Sequence, residues 1–224
     1  MEHGATPVKT TRRYDATKRR QRAQETRDGV IDVATTAFLR DGFAATTVAS
    51  IAETARVSVE TIYKSFGGKA GLVRAIWQRG LAGAGPIPAE QRSDEMQRRE
   101  SDPRKVMERW GTFTAEVAPR VAPILLLIRE AAGTDAEMAA LLRESDEARL
   151  SRMELNARRL LDGGGLPKGV TLNEVRDVLW LFSSPELYDL LVVRRGWSLQ
   201  RYGHFVSAVL EAALLGGDAP RKNP

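Results

Sequence analysis

Gly42 and the pair Gly67-Gly68 fence off a stretch with room for only two short helices. Thr47 precedes an apolar pattern at helical spacing, Val48, Ile51, Ala52 and Ala55, and Ser58 precedes another, Val59, Ile62 and Phe66. Hydroxyl side chains in those places cap a helix by accepting from amides of its first turn. Only Arg56-Val57 lies between the two patterns. Upstream, Val30, Val33, Ala34, Ala37 and Phe38 mark one face of a further helix that Gly42 stops. Downstream, a fourth helix runs through Leu72, Ala75, Ile76 and Leu81. A first helix laid against two short ones joined so tightly is helix-turn-helix geometry.

The remainder is helical too. Gly83-Ala84-Gly85-Pro86-Ile87-Pro88 ends the fourth helix, and a polar link over Ala89 to Asp102 follows. Pro103 suits a first turn and opens a segment through Met107, Trp110, Phe113 and Val117, which Pro119 and Pro123 interrupt before Ile124 to Ala132. Thr134-Asp135-Ala136-Glu137 has capping-box spacing and opens a long helix, stopped by Gly163-Gly164-Gly165. Thr171-Leu172-Asn173-Glu174 is a second such box, Ser184-Pro185-Glu186 restarts or kinks its helix, and Ser198 caps the last one. No strand or internal repeat is visible, and the expectation is an all-α chain: a three-helix helix-turn-helix domain, then a helical bundle. The expected divisions are a flexible basic arm over 1–26, the helix-turn-helix domain with its fourth helix over 27–82, a linker over 83–102, the bundle over 103–216 and a tail over 217–224.

Charge gives the short helices a candidate partner. The chain carries a net charge of +5, and Lys9 to Arg27 is dense in Lys and Arg against only Asp15 and Glu25. Such an arm either attracts phosphate backbones or anionic membranes, or is a solvated tail. The second short helix exposes Glu60, Thr61, Tyr63, Lys64 and Ser65 between its apolar positions. Polar and aromatic side chains on a short capped helix beside a basic segment suit the DNA major groove; the alternative is an ordinary bundle with a polar face. Lys64 can donate to guanine, Thr61 can pack a thymine methyl, and Glu60 can accept from cytosine N4 or complement its own helix dipole. Lys69 opens the fourth helix, where a cation opposes the dipole and an anion is more at home.

Catalysis finds little support. Without cysteine, and with His3 and His204 as the histidines, the chain offers no thiolate site, no histidine-rich metal cluster and no serine triad. Glu144 and Asp146 fall on what reads as a solvated helix face. A non-enzyme without cofactor or metal is expected. No apolar run approaches the roughly 20 residues that span a bilayer, and no secretory signal is visible, which points to a cytoplasmic protein without a membrane partner.

The block Ala37-Phe38, Gly42-Phe43, Ala45-Thr46-Thr47-Val48, Ile51-Ala52, Val57-Ser58, Thr61-Ile62-Tyr63, Phe66, Lys69 and Leu72 resembles the DNA-binding domain of TetR-family (tetracycline-repressor-like) transcriptional regulators. A weaker likeness lies at Ser184-Pro185-Glu186-Leu187-Tyr188 and Gly196-Trp197-Ser198. The resemblance implies that the fourth helix starts against a DNA phosphate, met by backbone amides and Lys69. It implies further phosphate contacts from Thr47, Ser58 and Tyr63, with Val59, Glu60, Thr61, Lys64 and Ser65 near base edges or adjoining backbone. Arg56 stands where the family usually has glycine, and Ala70 where an acidic residue commonly follows the lysine.

By the same resemblance, the chain is a ligand-responsive regulator, usually a repressor, acting as a homodimer on an inverted-repeat operator; the alternative is an architectural DNA-binding protein without effector. Trp110, Phe113, Leu126, Trp180 and Phe182 are candidates for an effector pocket that takes a small apolar or aromatic molecule, or else are plain core. Tyr202, Phe205, Val206, Val209, Leu210 and Ala213 form an apolar stripe that either pairs with a second copy or packs within its own subunit.

Overall fold

The structure, a computed structural model, describes residues 11–83 and 87–216. Among these residues the chain is helical, with no strand: α1 Thr11–Ala45, α2 Val48–Ala55, α3 Val59–Phe66, α4 Lys69–Ala82, α5 Ala89–Arg99, α6 Pro103–Ala131, α7 Ala136–Asp162, α8 Leu172–Phe182, α9 Pro185–Tyr188, a π-helical turn Asp189–Arg194, and α10 Leu199–Leu215. It divides into two compact units, Met1–Leu72 and Val73–Pro224, and α4 runs through the division. Residues 1–10 of the expected arm, 84–86 of the expected linker and the tail from 217 lie outside the described residues.

In the first unit Val30, Ile31, Ala34 and Phe38 of α1 share a core with Ile51, Ala52, Ile62 and Leu72. The helical path of α1 breaks at Gly42, whose φ is 79°. Thr46 is buried there and its hydroxyl donates to the Gly42 carbonyl at 2.8 Å. The expected flexible arm is corrected over residues 11–26, which are helical and continuous with α1. The segment is rich in Arg, Lys, Gln and Ala, all strong helix formers. Same-face pairs support it, Gln21 donating to Glu25 and Gln24 to Asp28, each at 3.1 Å.

In the second unit two expectations change. The stretch expected as a linker contains α5, because Asp94 accepts from both Arg152 and Arg159 of α7 and Gln97 donates to the buried Asn156 at 2.9 Å. Pro119 and Pro123 do not interrupt α6, which is one helix. Each proline removes an amide donor, and an interior proline costs about 3 kcal/mol. Burial of Val106, Met107, Trp110, Val121, Ile124, Leu127 and Ile128 along that helix offsets the loss, at about 1.5–3 kcal/mol for each large side chain. The joined helix is long and apolar enough by length and composition to cross a bilayer; those side chains instead pack inside the bundle. Glu144, expected on a solvated face, is exposed there and accepts from Arg74 of α4 at 2.7 Å.

Capping fixes the boundaries elsewhere. Asp135, rather than Thr134, caps α7 by accepting from the Met138 amide at 2.9 Å, since Thr134 still belongs to the turn and donates to the Ala131 carbonyl. Thr171 and Glu174 form the expected capping box of α8. Ser184 caps α9 with Pro185 in its first turn.

α6 and α10 approach each other more closely than ordinary side chains allow. A Cβ on Gly111 would lie 2.3 Å from the Gly203 carbonyl oxygen, and one on Gly203 would lie 2.9 Å from that of Gly111. Around this crossing Tyr202, Val206, Leu210 and Leu214 of α10 are buried in the same core as Val106, Met107 and Trp110. Gly111→Ala therefore destabilises the fold by about 1–3 kcal/mol, the usual cost of overpacking. Gly133→Ala, where a Cβ meets nothing within 4 Å, serves as control and shifts a urea or thermal melt little.

Candidate nucleic-acid interface and ligand cavity

Helix α3 is held by its two ends and shows its outer face. Thr47 caps α2 by accepting from the Ser50 amide at 3.1 Å. The α2 chain ends at Arg56, in the left-handed region at φ 55° and ψ 43°, and the Val57 amide returns to the Ala52 carbonyl at 3.0 Å. Ser58 then caps α3, accepting from the Thr61 amide at 3.1 Å, and its hydroxyl lies 2.8 Å from that of Thr61. Ile62 points into the core, while Val59, Glu60, Tyr63, Lys64 and Ser65 are exposed, Tyr63 at 55%. Thr47 and Ser58 are exposed and Thr61 is half-buried. A hydroxyl that accepts from a cap amide keeps its own proton for another acceptor, such as a phosphate oxygen.

The far end of α3 has a tie that the sequence did not reveal. Arg27 donates to the Ser65 carbonyl at 2.8 Å and lays its guanidinium 4.4 Å from the Phe66 ring centroid. Gly67 and Gly68 follow at φ 81° and 128°, values that only glycine adopts without strain. Half-buried Lys69 sits 4.1 Å over the Phe43 ring and donates to the Ala44 carbonyl at 3.4 Å. The cation at the start of α4 therefore has intramolecular partners that offset the opposing dipole; a phosphate is not its one source of compensation.

The second unit contains a cavity of about 180 Å³. Trp110 and Phe113 of α6 and Phe182 of α8 line it; Leu126 and Trp180 do not. Leu125 lines it instead of Leu126, because adjacent helical residues face about 100° apart. Trp180 presents its ring to Arg149, whose guanidinium lies 4.3 Å from the centroid and donates to the Trp180 carbonyl at 2.6 Å. Burial pushes the Arg149 pKa down from the usual arginine value.

Other lining residues were not anticipated, among them Trp77 of α4, Met153 of α7 and Tyr202 of α10. Tyr202 is fully buried, and burial raises its pKa to about 12, so it stays a neutral donor at ordinary pH. Neither its hydroxyl nor the Trp110 indole Nε1 has a hydrogen-bond partner among the described residues.

Tyr202 thus faces the core of its own subunit, and so do Val206 and Leu210. The dimer stripe is corrected for these three, because the close crossing with α6 takes that side of α10. Phe205 and Val209 are half-buried, Phe205 edge-on to Trp197 with centroids 5.5 Å apart, and Ala213 is exposed.

Comparison with known proteins agrees with this geometry. Residues 30–76 match the sequence profile of bacterial regulatory proteins, tetR family. No curated protein matches the sequence. Among solved structures, SmeT in its triclosan complex is similar at a TM-score of 0.66 and 22% identity, covering 89% of this chain and 99% of that one. FadR from Bacillus halodurans is similar at 0.66 and 18%, covering 86% and 99%. FadR from Bacillus subtilis with stearoyl-CoA is similar at 0.66 and 14%, covering 83% and 97%. Residues 30–76, which hold α2, α3 and most of α4, are accordingly similar to a TetR-family helix-turn-helix DNA-binding domain. The chain as a whole shares the fold of these solved structures.

Arg56 stands at a φ of 55°, a conformation that strains a non-glycine residue. Arg56→Gly relieves it and raises stability by up to about 1 kcal/mol, net of the added freedom of the unfolded chain. A denaturant midpoint displaced upward without a change of slope is the expected reading.

Proposed function

We propose that the protein is a cytoplasmic repressor that binds an inverted-repeat operator as a homodimer and releases it when a small, mostly apolar or aromatic effector enters the cavity. The observation that carries the DNA side is α3, capped by Ser58, anchored by Arg27 and exposing Tyr63 and Lys64 side by side. Lys64, Glu60 and Thr61 are assigned to base edges, with Val59 and Ser65 packing beside them. Thr47, Ser58, Tyr63 and Lys69 are assigned to phosphates. Lys69 reaches an anion while keeping Phe43 beneath it. Lys64→Ala lowers the preference for a selected operator by about 1–3 kcal/mol at the base pair it reads. Equal losses on operator and random duplex in mobility-shift titrations would demote it to a backbone contact.

One helix-turn-helix reads too few base pairs for specificity, so two half-sites about one helical turn apart are expected. The proposed dimer face is the flank of α10 beside its buried stripe: Phe205, Ala208, Val209, Ala212 and Ala213. Leu181, Leu190 and Val193, exposed at 57%, 51% and 62%, supply further uncovered apolar surface on neighbouring elements. Light scattering at micromolar concentration gives a dimer mass; a strict monomer contradicts the reading.

An architectural protein without effector has no need of an internal space, and the cavity favours the effector reading. Solved proteins of the same fold hold triclosan and stearoyl-CoA, which supports a ligand role for the region. Trp77 puts α4 in the cavity wall, and α4 continues back to Lys69. A ligand that displaces Trp77 alters α4 and, through it, the spacing of two recognition helices.

A further inference from the structure

The first helix runs further than its core requires. Arg20, Arg27 and Ala34 stand seven residues apart on α1, before the break at Gly42, and so share one face. Ala34 is fully buried, and half-buried Arg27 is fastened to the Ser65 carbonyl and the Phe66 ring at the end of α3. Arg20, next along that face, is exposed, as is every residue over 18–26. A rise of about 1.5 Å per residue carries Arg20 about 10.5 Å past Arg27, the length of about three base-pair steps.

A helix that is polar all round has little to hold it. The Gln21–Glu25 and Gln24–Asp28 pairs support this one, but its charge is nearly all of one sign. Lys18, Arg19, Arg20 and Arg22 stand against Glu25, which already accepts from Gln21. None of the four cations makes an ion pair among the described residues. Lys18 and Arg22 are four residues apart, where like charges destabilise a helix, and a polyanion laid against the segment relieves that repulsion. Two classes of polyanion differ in what they ask of such a helix. A membrane interface needs an apolar face, whereas the one apolar side chain within residues 18–26 is the methyl of Ala23. A phosphate backbone needs none, and Arg27 already fastens this helix to the end of α3.

We propose that residues 18–26 of α1 form a second DNA contact, in which Arg20, on the face that Arg27 shares, binds phosphates outside the base pairs that α3 reads. This rests on the DNA-binding reading of α3 and adds a surface beyond the recognition helix. Lys18 points about 160° away from Arg20 and carries little of the contact.

A duplex selected from a random pool by the unmodified protein is prepared in two forms. One has natural phosphates throughout; the other has neutral methylphosphonates at every linkage outside the selected base pairs. The unmodified protein binds the natural form more tightly. Arg20→Ala weakens the natural form about three- to tenfold and lowers its slope of log affinity against log salt by about 0.9. The same variant binds the neutralised form within about twofold of the unmodified protein, and Lys18→Ala stays within about twofold on both forms. Both variants keep the melting temperature of the unmodified protein, because neither residue is buried. Equal losses for Arg20→Ala on the two forms, equal losses for Arg20→Ala and Lys18→Ala, or no loss for Arg20→Ala overturns the proposal. So does capture by phosphatidylglycerol vesicles that depends on Arg20 while duplex affinity does not, which assigns the segment to a membrane. If the pool yields no duplex, the DNA-binding reading and this inference fall together. If it yields one that loses preference with Lys64→Ala but not affinity with Arg20→Ala, this inference alone falls.

Discussion

The backbone contact between Gly111 of α6 and Gly203 of α10 sets the geometry of the larger unit. Two helices that meet without Cβ atoms come close enough to bury Tyr202, Val206 and Leu210 against α6. That burial leaves the flanking large side chains, Trp110 on one helix and Tyr202 on the other, in the wall of a cavity instead of filling it. It also decides which face of α10 stays uncovered. Core, cavity and outer face all follow from two missing methyl groups.

In the smaller unit the corresponding constraint is local. Each short helix begins at a hydroxyl cap and ends in a left-handed residue, Arg56 for α2 and Gly67 for α3. With both ends fixed over so few residues, α3 has little freedom except as a rigid body. Arg27 and Lys69 bracket it with cations seated on Phe66 and Phe43. Those cations serve the fold, each holding one end of the helix to an aromatic ring.

Features set by neighbours in sequence were legible before the structure. The caps at Thr47, Ser58, Thr171 and Ser198 and the break at Gly42 are decided within a few residues, so their chemistry can be read directly. Features set by distant partners were not. The helix α5 depends on arginines of α7 far along the chain, and the continuity of α6 through Pro119 and Pro123 depends on the core around it. The stripe on α10 was visible as a period, but a period does not say which neighbour covers it. Likewise Leu125 and Leu126 are indistinguishable as residue types, and only the helix phase separates the cavity wall from its surroundings.

The account makes the cavity and the operator two ends of one equilibrium, so each must alter the other's affinity by the same factor. The most direct test takes an aromatic compound that raises the melting temperature and measures its affinity for the free protein and for the protein saturated with a selected operator. Release by the effector predicts weaker compound binding on the operator complex, by about 5- to 150-fold, matched by an equal loss of operator affinity at saturating compound. Identical compound affinities for the two forms would contradict it.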